Sequence, residues 1–160
     1  MYYRRRILLA LLQEFGGRLS ATDFQKLLFL FCRSQSSPAF DFVPYLYSCY
    51  SFQSFSDKQV LAKAGLIKDS EEWSIEKSAD DMQSLTDDDQ SVLAAVGEKY
   101  RTMRGDALIK HVYTSFPYFA INSTIAGKLL TSSELLRVEA QKPSTRSAEL
   151  FSIGYEGRSG

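Results

Sequence analysis

The chain has 160 residues, 44% of them hydrophobic, with 19 basic and 19 acidic side chains and a single histidine. That length and composition support one real core and exclude disorder of the whole chain. Two cysteines and one histidine cannot supply the four ligands of a structural zinc site, nor the cysteine density of a secreted disulfide scaffold.

Net neutrality hides segregation along the chain. Residues 1–40 carry six basic and two acidic groups, residues 41–98 carry four and twelve, and residues 99–160 carry nine and five. This layout permits a nucleic-acid face near the start and a partner-facing acidic middle, and ordinary solvated faces account for it as well. Cys32 and Cys49 stand in apolar or aromatic surroundings without a Cys-x-x-Cys pair, which reads as two reduced, partly buried thiols in a cytoplasmic protein. The opening imitates a charged leader, but its apolar run from Ile7 to Leu12 breaks at Gln13-Glu14. A span needs about 20 apolar residues, so a soluble helix and no membrane are expected.

In chain order, Ile7, Leu8, Leu11, Leu12 and Phe15 recur at helical spacing and stop at Gly16-Gly17, a pair suited to a helix end. Arg4, Arg5 and Arg6 fan over about 200 degrees of that helix, so not all face the core. Positive charge opposes the dipole at a helix start, and a phosphate or acidic partner would offset the cost. A second helix opens with Ser20 as N-cap and Asp23 three residues on, then presents Phe24, Leu27, Leu28, Leu30 and Phe31 around most of its circumference. Lys26, set among these, is expected to snorkel to the surface.

The stretch from Arg33 to Ala39 has turn composition. Phe40, Phe42, Tyr45, Tyr47, Tyr50, Phe52 and Phe55 then follow with no Lys or Arg between them. Stacking platforms for single strands come with a positive groove, so these rings read as core and interface. Ser51 or Ser54 caps a third helix through Val60, Leu61 and Ala64, closed by Gly65; Leu66-Ile67 and Trp73-Ser74-Ile75 read as the strands of a small wing. The expected fold is mainly α with a small antiparallel β wing, a winged-helix-like helical domain over residues 1–140.

Three of these runs carry a resemblance. Phe24-Gln25-Lys26-Leu27-Leu28-Phe29-Leu30, then Phe42 to Ser51, then Leu61-Ala62-Lys63-Ala64-Gly65-Leu66-Ile67 resemble the Panacea (SocA-like) and YwgA-like domains, with a Lys-Leu-Leu helix, a Tyr-Gly-Pro-Tyr-Ser-type turn and a Gly-Leu-Ile stop. Ser48 stands where those domains have Gly and Cys49 where they have Pro. If the turn needs a positive backbone angle at position 48, serine accommodates it poorly, which would remodel the loop. The resemblance implies a protein that acts by binding a protein partner, as antitoxin-like members do, without chemistry of its own.

Further along, Thr86-Asp87-Asp88-Asp89 reads as a helix cap, because consecutive helical residues point about 100 degrees apart and cannot converge on one metal. His111 has no nucleophile or orienting acid near it in sequence and reads as packing or surface. Asn122-Ser123-Thr124 caps a turn, and Ser132-Ser133-Glu134 starts a last helix. Residues 141–149 have linker composition. Leu150 to Ser159 resembles the opening strand and loop of the YeaO-like family, so a second domain is expected to begin at 150–160, with this chain as the N-terminal part of a larger protein.

No nucleophile motif or metal spacing joins the ionisable residues, and no cofactor is called for. The reading is a non-catalytic binding module, engaging a protein partner or a second copy through Tyr45, Tyr47 and Tyr50. The alternative is nucleic-acid binding through Arg4, Arg5, Arg6, Arg18, Lys26 and Arg33.

Overall fold

Nine consecutive residues, Phe24 to Cys32, are buried in helix α2 (Ala21–Ser34), and a helix apolar on every side has to be covered on every side. In the computed structural model, which describes residues 1–46, 48–77 and 84–143, three helices do the covering. α1 (Tyr3–Glu14) brings Ile7 to Leu12, α4 (Asp87–Lys99) brings Leu93 and Val96, and α5 (Gly105–Ser115) brings Leu108 and Val112, all into one core cluster. Trp73 lies flat on Phe24 with ring centroids 3.6 Å apart. Phe29 is met edge-on by Phe42, Phe116 and Phe119.

The helix starts are fixed as their sequences anticipate. Ser20 Oγ accepts from the Asp23 amide at 3.1 Å, and Thr86 Oγ1 accepts from the Asp89 amide at 3.2 Å. Each cap's acidic residue then reaches outward to another helix. Asp23 Oδ1 accepts from the Gly105 amide at 2.8 Å, tying the start of α5 to α2, and Asp89 Oδ2 accepts from the Tyr3 hydroxyl at 2.6 Å, tying α4 to α1.

The β component is small and antiparallel. β1 (Arg18–Leu19) pairs with β4 (Trp73–Ser74), and an Ile67–Ile75 bridge continues the wing. The wing's second strand was legible in sequence, but the pairing with Arg18–Leu19 was not, since two residues after a Gly-Gly turn carry no strand period. A separate hairpin joins β2 (Val43–Tyr45) to β3 (Ser48–Tyr50), with Val43 opposite Tyr50. The segment after α5 covers its outer edge: Asn122 Nδ2 donates to Pro44 O at 3.3 Å and the Thr124 amide donates to Leu46 O at 3.1 Å. A 3-10 turn (Pro117–Ala120), α6 (Ala126–Leu129) and α7 (Ser132–Gln141) close a second cluster around Tyr113, Leu130 and Val138. α3 (Phe52–Lys63) spans hairpin to wing and exits through Gly65 at φ +76°. The chain is thus mainly α with a small antiparallel β wing. The expected domain start at Leu150, and the linker beyond residue 143, lie outside the described residues.

Candidate functional site

Helix α3 is built inside out. Its buried residues are Ser54, Asp57, Lys58 and Leu61, whereas Phe52 is 57% exposed, Phe55 46% and Val60 42%. An amphipathic helix on a core shows the opposite order, because burying charge costs free energy and burying rings yields it. The inward polar groups are therefore all engaged. Asp57, 1% exposed, accepts from Arg4 Nε at 2.7 Å and from Arg5 Nε at 2.9 Å. Lys58 Nζ donates to Ser70 O at 2.6 Å and Glu71 O at 3.0 Å and sits over the Trp73 ring. Gln25 Nε2 donates to Ser54 Oγ, and Gln25 Oε1 accepts from the Ser51 amide, both at 2.9 Å.

The outward face is continuous with the hairpin. Tyr45, Tyr50 and Phe52 form a three-ring cluster with centroid separations of 4.9 to 5.7 Å. Next to it opens a cavity of about 410 Å³, lined among others by Tyr50, Phe55, Ala62 and Trp73. Between Phe52 and Val60 the exposed positions are Phe52, Gln53, Phe55, Ser56, Gln59 and Val60, none of them charged. Tyr45 and Tyr50, singled out from sequence, belong to this surface; Tyr47 lies outside the described residues. Phe52 and Phe55 belonged to the rings read as core and interface without being singled out as contacts, and Val60 was not among the expected contact residues. Their signal was the competing helical period of Ser54, Asp57, Lys58 and Leu61, which fits burial in spacing and contradicts it in chemistry.

A second cavity, of about 100 Å³, lies between the start of α2 and β3, lined by Ala21, Thr22, Gln25, Lys26, Tyr45, Ser48, Cys49 and Tyr50. Lys26 does not snorkel: it is 2% exposed, and among the described residues its Nζ has one long hydrogen bond, 3.4 Å to Cys49 O. Burial pushes its ammonium below the ordinary lysine range, against the opposing pull of Cys49 and Asp23. Ser48 holds φ +95° and is fully buried, so a serine adopts the positive backbone angle at this turn. Such a conformation costs a residue with a Cβ about 1–3 kcal/mol. Ser48 Oγ has no nitrogen or oxygen partner, and the weakly bonding Cys49 thiol is within its reach. Burial raises that thiol to about 11 and the Cys32 thiol to about 12, so neither is a ready nucleophile.

The six basic residues of the first 40 do not form one free surface. Arg4 and Arg5 are held by Asp57, Arg18 pairs with Glu72 at 2.9 Å, and Lys26 is internal. Arg33 packs over Phe116 and Phe29, and Arg6 is half-buried. His111 Nε2 meets the Tyr100 hydroxyl at 3.1 Å, and its imidazolium is disfavoured first by burial and then by Lys99. Among the described residues no group of three or more His, Cys, Asp or Glu side chains could hold a metal, and no helix is long and apolar enough to cross a membrane. Neither a protein-family model, nor a curated protein, nor a solved structure matches the chain.

Proposed function

We propose that the chain is a non-catalytic protein-binding module whose contact surface is the outer face of α3 together with the Tyr45–Tyr50–Phe52 cluster. The observation that carries this reading is the inverted polarity of α3. Two exposed phenylalanines and a valine lie on a helix whose inner face is Ser54, Asp57 and Lys58, an arrangement that leaves apolar surface for another molecule to cover. The exposed positions from Phe52 to Val60, all uncharged, fit an apolar partner face, and not phosphates, which would call for arginines and lysines there. The quenching of Arg4, Arg5 and Arg18 by carboxylates points the same way. The resemblance to Panacea-like domains, whose antitoxin-like members bind protein partners, agrees with it, and we propose a cytoplasmic location for the module.

The test uses the double variant F52S/F55S, with L136S as a control because Leu136 is more exposed than either ring but lies on α7. A partner captured by the wild type from extract of the native host is reconstituted as a purified binary complex. The double variant is expected to lose at least about 2 kcal/mol of binding, and L136S is expected to keep it. Sedimentation velocity shows whether the partner is a second copy. Binding to duplex DNA that weakens steeply with salt and is untouched by the double variant would replace this reading with a nucleic-acid one.

A further inference from the structure

We propose that the cavity between the start of α2 and β3 is a carboxylate-binding subsite, with Lys26 Nζ and Ser48 Oγ as its two donors. Two independent defects face the same small space. Among the described residues, an ammonium with three hydrogens has one long bond, to Cys49 O at 3.4 Å, and Lys26 is absent from every ion pair. The nearest carboxylate along α2, Asp23, is turned to the Gly105 amide. A fully buried serine hydroxyl lacks an acceptor and a donor of nitrogen or oxygen. Buried polar groups short of partners are rare, and an under-bonded ammonium and an unsatisfied hydroxyl lining one cavity point to an oxygen ligand between them.

The chemistry of the walls narrows the ligand. Gln25 is spent at both ends on Ser54 and Ser51, so it contributes no acceptor to compete with an anion. Ala21, Cys49 and the rings of Tyr45 and Tyr50 make the remaining lining largely apolar, and Thr22 adds a hydroxyl-bearing residue to it. One cation and two hydroxyls match a flat monoanion with two oxygens; a phosphate dianion is more often held by several cations or a bidentate arginine. The volume of about 100 Å³ exceeds the space of one water and admits a carboxylate on a short stem. A small free carboxylate and the terminus of a polypeptide both offer this group.

The subsite shares Tyr45 and Tyr50 with the proposed contact surface, and Phe52 packs on both rings, so it is tested at Lys26 and Ser48, which that surface does not use. The experiment follows the backbone amides of Ser48 and Tyr50 by NMR while sodium acetate is titrated in at constant ionic strength, with sodium chloride as the control. Acetate is expected to saturate and chloride to give no saturable change. Lys26→Met and Ser48→Gly are each expected to weaken acetate at least about ten-fold. The glycine variant relieves the positive φ, so its loss of binding does not follow from unfolding. N-acetyl-dialanine binding at least about ten-fold tighter than acetate, and its carboxamide not at all, identifies a polypeptide terminus; equal affinities identify a free carboxylate. Acetate that fails to saturate, or that binds wild type and Ser48→Gly alike, overturns the proposal.

Discussion

Helices α2 and α3 both bring phenylalanines to the middle of the chain and use them in opposite ways. In α2 the rings face inward and every residue from Phe24 to Cys32 is buried; in α3 the rings face outward and the buried positions are a serine, an aspartate, a lysine and a leucine. The two helices are joined by the Gln25–Ser54 bond, so the difference is not one of location in the molecule. It teaches that α2 is held by apolar burial, while α3 is held mainly by ion pairs and hydrogen bonds that free its apolar side for another purpose.

The sharpest way to break that comparison is to cut the same ring from each helix. Phe24 is fully buried and stacked on Trp73, so Phe24→Ala is expected to cost about 3–5 kcal/mol. Phe55, nearly half exposed, is expected to change stability by less than about 0.5 kcal/mol on truncation to alanine. Urea unfolding of the two variants reads both numbers. Similar losses would mean that α3 packs as an ordinary amphipathic helix and that its outer face has no spare apolar surface.

The next effect lies on the polar side of α3. Burial alone would push the Asp57 carboxyl up, but Arg4 and Arg5 outweigh it and hold it below its ordinary 3.8. A carboxyl lowered in the folded state stabilises fully above its unfolded value, and the gain is lost as pH falls through the folded one. Asp57→Asn leaves two guanidiniums without their counter-charge. It is expected to cost about 2–3 kcal/mol at neutral pH, less than a fully buried pair because Arg4 is one-third exposed. Below about pH 4 the gap between wild type and variant is expected to close, since protonated Asp57 no longer pairs. A gap that stays constant down to pH 2 would show that Asp57 acts through packing and not through its charge.

How much of this was legible in sequence follows the same divide. α2, its Ser20 cap, the Gly65 exit and the wing strand at Trp73 could be read because they rest on local period and caps. The pairing of Arg4 and Arg5 with Asp57 joins residues more than 50 positions apart, and charge segregation along the chain gives no hint of it. Arg4, Arg5 and Arg6 therefore read as one basic cluster although two of them are internal counter-ions. Lys26 was misplaced for a related reason: a lysine stem usually carries its charge to water, and only the roof made by the 43–50 hairpin prevents that here. The outward rings of α3 stood in plain view as Phe52 and Phe55. Their direction is decided by which of two periods the core accepts, and that depends on Arg4, Arg5 and Gln25.

The smallest expected effect tests whether the hairpin was shaped for folding or for binding. At φ +95° a glycine is relaxed and a serine is strained, and Ser48 adds a buried hydroxyl that has no nitrogen or oxygen partner and meets the weakly bonding Cys49 thiol. Ser48→Gly removes both penalties and adds back the larger chain entropy of an unfolded glycine. The balance is expected to stabilise the protein by about 1 kcal/mol, measured by urea unfolding without carboxylate in the buffer. If serine is there to grip an oxygen ligand, saturating acetate should shrink that advantage, because the ligand adds stability only to the form that binds it. A glycine variant no more stable than wild type would mean that Ser48 already has its partners in the free protein, and the hairpin would then join α2 as a region built for folding alone.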